Sequence, residues 1–480
     1  MTQKADPRLI QAMNALAQGQ SHDAESLCRA VLAERKRDDL AMAILAQTCN
    51  AIGNYDEGLQ LIKKAIAKNN KRADYHGLLA DMLTTQGHFR EALRSYDKAM
   101  KLDSSHQGVI AGKANTLLRL NEPKKALDLV TPVIKKGNED LTIAVVYAKA
   151  LIESGSAHEA ADVLLSHLPA KRESLETRRT LYFTLGKAME KAEEYQSAFE
   201  AYEEGNKLSV SNFDLAGCVS RHDDIIKAFP AEKYSEMATS NIDDSSRIFI
   251  VGMLRSGSTL TEQIIDAHPM GRGLGELETL PRVLHETIGD DLLSTAWPKF
   301  NPEQLESIGK QYLQGTVCST NESRLVDKQL GNYQYVGVIK KLFPNAKVIH
   351  CTRNPMSMGI SCYSQKLPPH TNAWASSLHS IGHFYNEYMR LMCHWESILG
   401  DEMLQVSYEE LASNQETTTR KILEFCGLDF DERCMRFWET GRTVITLSQD
   451  QVRKPMYTSS VARHERFGEL LEPLRDAIGV

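Results

Sequence analysis

The first 210 residues are patterned for helices that come in pairs. In HGLLADMLTTQGHFREALRSYDKAM, Leu79, Ala80 and Leu83 stripe one helix, Gly87 breaks it, and Ala92, Tyr96 and Ala99 stripe a second. The break recurs. Gly19, Gly53, Gly87, Asn121 and Gly155 stand 34 residues apart, and five positions after each comes a small residue: Ala24, Gly58, Ala92, Ala126 and Ala160. A sixth copy follows a four-residue insertion, with Glu193 at the break and Ala198 as the small residue. Small residues at 80 and 92 let the paired helices approach closely, and Tyr96 is placed to fill the gap to the next copy. Beyond residue 244 the pattern changes. SRIFIVGM, KVIHCT and EMLQVS read as buried strands separated by helical stretches, the alternation expected of a parallel α/β sheet.

A 34-residue period of paired helices is the signature of tetratricopeptide (TPR) repeats, which stack into a solenoid. The chain therefore reads as an α-solenoid at 5–210, about six repeats long, a helical connector at 211–244, and an α/β domain at 245–480. Curved solenoids of this kind offer a concave face to a peptide or partner protein, although a face that binds nothing in particular is the plainer reading.

Composition narrows the classes. Of 480 residues, 42% are hydrophobic and 25% charged, with 29 Gly and 15 Pro, which excludes collagen-like and wholly disordered chains. A net charge of −7 gives no global reason to coat nucleic acid or an anionic membrane, and no basic run is interleaved with aromatics. The nine cysteines are scattered and never spaced CxxC, which argues against a disulfide framework or zinc ribbon. No signal-peptide core and no apolar stretch of about 20 residues is found, so a cytoplasmic protein without an integral membrane segment is expected. Oligomeric state is not legible.

The chemistry begins after the first strand. In IFIVGMLRSGSTLTEQIIDAHP, Gly252 and Gly257 stand five apart and are followed by Ser258 and Thr259. This is the GxxxxGK[ST] phosphate loop with Ser258 where lysine belongs. Such glycines let backbone N–H groups converge on an anion, and the following helix adds its positive end. Arg255 can supply the missing cation. An enzyme that uses ATP normally needs the lysine and a magnesium ion. Arginine and hydroxyls suit a less charged anion, such as a transferring sulfuryl group. A glycine-bearing turn without a ligand is the bland alternative.

These residues carry a resemblance. RSGSTLTEQIIDAHP resembles the 5′-phosphosulfate loop of sulfotransferases that use 3′-phosphoadenylyl sulfate (PAPS), above all the tyrosylprotein sulfotransferases and bacterial proteins that join TPR repeats to such a domain. The similarity runs through separated motifs from about Arg247 to Phe467, with Leu254 standing where the family usually has proline. The resemblance implies that Arg255, Ser256, Gly257, Ser258 and Thr259 hold the 5′-phosphosulfate.

Further motifs fall at family spacing. KVIHCTRNPMSMGISCYSQ is similar to the 3′-phosphate motif, with Arg353 as a forked donor and Ser361 adding a second bond. RGLGELETLPRVL places Glu276 at the position of the family's catalytic carboxylate, where burial would raise its pKa toward use as a base. A glutamate favoured in a helix's first turn is the bland reading, and Glu278 lies within a slip of register. RLVDKQLGNYQYVGVIKKLFPNAK supplies Lys328, which would neutralise the leaving phosphate oxygen, or would otherwise be a solvated loop lysine. Ser448 and Arg463 in SQDQVRKPMYTSSVARHERF match a segment that folds over the nucleotide, and Tyr408 matches a position near the adenine. His379 and His383 have metal-compatible spacing, but no third ligand is apparent and no metal is expected. The aromatic cluster Phe384, Tyr385, Tyr388 and Trp395 reads as core or as the wall of an acceptor pocket.

The resemblance implies in-line sulfuryl transfer from PAPS to an acceptor hydroxyl, a protein or peptide tyrosine first, with the TPR half binding the acceptor or a partner protein. A carbohydrate or small-molecule acceptor stays open. So do a non-catalytic TPR adaptor that merely binds nucleotide and an ATP-dependent kinase.

Overall fold

Positive backbone angles mark the solenoid's turns. In the computed structural model, which describes residues 6–17, 20–137, 140–168, 174–209, 212–289, 297–316, 323–440, 455–456 and 461–479, φ is +81° at Gly53, +79° at Gly87, +59° at Asn121, +89° at Gly155 and +65° at Glu193. Each ends the first helix of a pair in the left-handed conformation that glycine adopts at least cost. Gly19 lies outside the described residues. The pairs include Asp39–Ala51 with Tyr55–Lys68, Ala73–Thr85 with Phe89–Leu102, and Gln107–Arg119 with Pro123–Ile134.

Small residues set how closely these helices approach. A Cβ on Gly58 would stand 2.6 Å from Met82 Cε and 3.1 Å from the Ala46 carbonyl, while Ala80 and Ala92 have no solvent contact. Tyr96 reaches from one copy to the next as its position suggested. Its hydroxyl donates to Asp81, and a Cβ on Gly112 would meet that hydroxyl at 2.6 Å.

The chain divides into two compact units, Met1–Ala198 and Phe199–Val480. The second therefore takes in the stretch expected to be a connector. Its helix Leu215–Ala228 is built into that unit: His222 Nε2 lies 3.2 Å from the Tyr333 hydroxyl, and Phe229 packs edge-on against Trp395 at 5.6 Å. Tyr234, six residues past the helix, donates to the Gly337 carbonyl at 2.8 Å.

The second unit is built on a five-stranded sheet, all parallel, in the order β2-β3-β1-β4-β5. The strands are β1 (Arg247–Gly252), β2 (Gly271–Gly273), β3 (Arg324–Asp327), β4 (Lys347–Thr352) and β5 (Met403–Ser407). β1 is central and buried along its whole length, pairing Phe249 with Asp327 and Ile250 with Ile349. Alternation along the strand sends side chains to both faces. Ile248 and Ile250 pack with Ile264, Val406 and Ile422, while Phe249 packs with Tyr312 and Phe343 on the other face. Among the described residues no helix is long and apolar enough to cross a membrane.

The turn angles yield a stability prediction. A side chain at positive φ costs about 1–2 kcal/mol, and glycine removes most of that while adding unfolded-state entropy. Glu193→Gly should raise the melting temperature by about 1–4 °C and Asn121→Gly by less, since asparagine tolerates this conformation. Glu193→Val should lower it. Calorimetry of the three variants checks the order.

Candidate active site

The polar residues singled out in the sequence collect at one edge of the sheet, the carboxyl ends of its parallel strands. The phosphate-type loop follows β1, Lys328 follows β3, Arg353 follows β4 and Tyr408 follows β5, while Glu276 stands three residues past β2. This is the edge where open α/β sheets bind ligands, and the neighbours of β1 are reached by crossovers in opposite directions.

The loop after β1 turns sharply into the helix Ser258–Asp266. Arg255 (φ +70°) and Gly257 (φ +96°) are both left-handed, and Gly257 is the residue before the helix. A Cβ on Gly257 would meet the Tyr408 ring at 2.9 Å, and one on Gly252 would meet Ser256 Oγ at 2.6 Å and the Cys351 carbonyl at 2.8 Å. Only glycine fits these approaches. Ser258 and Thr259, both buried, open the helix, whose first N–H groups have no acceptor within it. Ser256 Oγ is buried with no hydrogen-bond partner among the described residues, a costly arrangement that suits a site awaiting an anion.

The β4 side brings the second motif to this loop. Arg353 donates through Nη1 to the Arg255 carbonyl at 3.1 Å, and its guanidinium lies 4.5 Å from the centre of the Tyr408 ring. Burial pushes the pKa of Arg353 below the usual arginine value. Asn354 caps the helix Pro355–Tyr363 by accepting from the Ser357 N–H at 3.1 Å. Ser361, on that helix, accepts from Arg255 Nε at 3.0 Å, so side chains expected at opposite ends of the nucleotide touch here. Arg463 sits against the same helix, donating to Ser364 Oγ at 2.9 Å and the Ile360 carbonyl at 3.4 Å. Ser448 lies outside the described residues.

On the β3 side, Lys328 Nζ donates to Glu276 Oε1 at 2.5 Å. The burial is the reverse of what the sequence reading supposed. Lys328 has no solvent exposure, whereas the Glu276 side chain is 46% exposed, so desolvation bears on the cation rather than on the carboxylate. Glu278 is occupied separately, accepting from Gln329 Nε2 at 2.6 Å. Ahead of Lys328, Asp327 accepts from the Tyr312 hydroxyl at 2.9 Å and the Gln329 N–H at 3.0 Å. Burial raises the Asp327 pKa to about 6.

The aromatic cluster divides. Tyr385 and Tyr388 join Met253, Ser256 and Arg353 around a cavity of ≈ 110 Å³, whereas Trp395 is core and Phe384 stacks on Trp374 at 4.5 Å. Beside that cavity His350 bonds the Tyr388 hydroxyl at 2.9 Å, and burial lowers its pKa to about 4. The rings of His379 and His383 meet edge-on with Nε2 atoms 2.9 Å apart, and among the described residues no group of three His, Cys, Asp or Glu could hold a metal. One buried acid by the site, Glu262, drew no attention in the sequence because a glutamate inside a helix reads as part of a solvated face.

Residues 247–432 match the model of the sulfotransferase family, and residues 15–82 match a tetratricopeptide-repeat model. The second unit carries a sulfotransferase-family domain. An uncharacterized protein of Aquifex aeolicus (strain VF5) is 29% identical over 434 residues, covering 87% of this chain and 56% of its own length. Protein-tyrosine sulfotransferase A of Caenorhabditis elegans is 26% identical over 239 residues, covering 44% of this chain and 58% of its own. The protein-tyrosine sulfotransferase of Drosophila melanogaster is 26% identical over 238 residues, covering 45% and 46%. The chain spans about half the length of the curated relatives it matches.

Asp327, inside the sulfotransferase domain, gives a pH prediction. Its folded pKa of about 6 lies above the usual 3.8, so the folded state holds a proton that the unfolded chain releases. The group costs nothing below about pH 3.8, and stability is lost as pH rises through 6. Asp327→Asn should therefore gain on the parent by about 2 kcal/mol between pH 4.5 and 7.5. Urea denaturation of both proteins at the two pH values measures the difference.

Proposed function

We propose that this chain is a sulfotransferase that takes a sulfuryl group from PAPS and places it on an acceptor hydroxyl, with a tyrosine of a protein or peptide as first choice. The observation that carries the reading is the buried hydroxyl of Ser256, which has no hydrogen-bond partner among the described residues, in a loop flanked by the buried cations Arg353 and Lys328. A lysine-less loop of this kind favours a singly charged group over a phosphoryl group. The names of the relatives from C. elegans and D. melanogaster support tyrosine as the acceptor.

The residues divide the work. Arg255, Ser256, Gly257, Ser258 and Thr259 would hold the 5′-phosphosulfate, and Arg353 with Ser361 the 3′-phosphate. Tyr408 and Arg463 would border the nucleotide, as would Ser448. Oxygen of the acceptor attacks sulfur, and the bond between sulfur and the bridging oxygen breaks, leaving its electron pair on the 5′-phosphate. The acceptor's proton passes to Glu276, and Lys328 neutralises the charge on the leaving oxygen. Lys328 and Glu276 are paired in the structure, so this chemistry requires the pair to separate. A charged pair held ready beside the loop favours catalysis over a purely adaptor role. The repeats would bind the acceptor protein or a partner that delivers it.

Incubation with radiosulfate-labelled PAPS and a cell lysate should label protein, and phosphate-free sulfotyrosine should be recovered on hydrolysis. Label in glycan or metabolite would move the acceptor class. Lys328→Ala and Glu276→Gln should each lower kcat by about 10²–10³. Arg353→Ala should weaken binding of 3′,5′-adenosine bisphosphate by about 10–100-fold, as loss of a forked phosphate contact does. Calorimetry that found tight ATP–magnesium binding and no bisphosphate binding would overturn the reading in favour of a kinase.

A further inference from the structure

The helix that follows the donor loop carries acids on one face. Ser258, Glu262 and Asp266 are spaced i, i+4, i+8 and so lie above one another. All three are buried. An acid at such a place is expensive unless it accepts hydrogen bonds. Glu262 and Asp266 do so from backbone: Asp266 Oδ1 accepts from the Gly273 N–H at 2.6 Å, and Glu262 Oε1 accepts from the Gly275 N–H at 2.8 Å. The sequence GRGLGE makes room for them. A Cβ on Gly273 would stand 2.9 Å from Glu262 Oε1, and Gly275 is left-handed at φ +78°.

Gly275 is gripped from both sides. While its N–H goes to Glu262, its carbonyl accepts from the Lys328 N–H at 2.9 Å. The next residue is Glu276, whose carboxylate meets Lys328 Nζ. One residue, through the two peptide groups that flank it, thus ties three things together: the helix of the donor loop, the proposed base and the proposed leaving-group cation.

We infer that Glu262 is a positioning residue for sulfuryl transfer, clamping Gly275 so that Glu276 and Lys328 are held at a fixed place relative to the loop Arg255–Thr259. It touches no reacting atom and acts through the Gly275 peptide. Burial raises its pKa, with Glu276 and Asp327 adding to the rise, while the ammonium of Lys328 and the Gly275 N–H oppose it. The inference rests on the sulfotransferase reading above.

The test combines steady-state transfer from PAPS with residue-resolved amide exchange on the full chain. Glu262→Ala should speed exchange at Gly275 by about tenfold or more and lower kcat by about 10–100-fold, with the KM for PAPS within about threefold, because small misplacements of reacting groups cost rate rather than binding. Glu262→Gln keeps an acceptor oxygen at the same reach and should restore Gly275 protection and most of kcat. Asp266→Asn, at the other end of the ladder, should change the melting temperature and leave kcat within about twofold. Should Glu262→Ala fail to fold, Glu262→Asp shortens the reach by one methylene and should reproduce the loss in milder form.

The clamp is overturned if Gly275 loosens and kcat holds, or if Glu262→Gln is as impaired as Glu262→Ala. A parent protein that binds no 3′,5′-adenosine bisphosphate and transfers nothing from PAPS instead sinks the sulfotransferase reading, and the clamp's catalytic meaning goes with it.

Discussion

An ammonium group shut away from water must be answered by negative charge within a few ångströms, because desolvating an unpaired ion costs several kcal/mol. Lys328 is in that position at the end of β3, and much of the surrounding structure can be understood as the answer. Glu276 reaches it from the turn after β2, so β2 must lie beside β3, which it does through the pairing of Gly271 with Arg324 and Gly273 with Val326. β2 must in turn press against the helix Ser258–Asp266, where alternate glycines let backbone meet the carboxylates of Glu262 and Asp266. A weak, three-residue edge strand is therefore fixed by charge and hydrogen bonds rather than by apolar burial.

The opposite side of β1 solves a similar problem by different means. Arg353 is buried and presses its guanidinium on the Tyr408 ring, an aromatic face that attracts a cation without neutralising it. The same ring crowds Gly257, so a single tyrosine shapes both the loop's backbone and the arginine's position. Groups held this way need little reorganisation when charge arrives, the condition under which fixed donors act most strongly on a reacting anion.

How legible this was in the sequence depends on range. The repeat breaks were readable because a turn is local: glycine or asparagine at a fixed period, with glutamate after one short insertion, marks a recurring backbone angle. β1, β4 and β5 were readable as apolar runs. β2 and β3 were not, being three and four residues long and rich in glycine and charge. The stretch 211–244 looked like a linker because its partners are remote: Phe229 finds Trp395, and His222 finds Tyr333. In the site, the expectation that Arg353 and Ser361 act together came from the family resemblance rather than from the residues alone. The bond from Arg255 to Ser361 could not be read, and neither could the exposure of Glu276, since both depend on how separate strands come into register.

Left-handed residues serve the two units in contrasting ways. In the solenoid they end helices, and a glutamate at that angle in Glu193 carries a conformational cost that nothing at the turn requires, because glycine does the same at Gly53, Gly87 and Gly155. At Arg255 the side chain is engaged. The loop needs the angle in order to turn into its helix, and the guanidinium reaches Ser361 while the carbonyl accepts from Arg353. Strain of about 1–2 kcal/mol at such a residue persists only where surrounding contacts over-determine it. Two contacts on one left-handed arginine, from its Nε to Ser361 and from Arg353 to its carbonyl, meet that condition, so the backbone cost at Arg255 is held in place by the strand–helix unit that follows β4.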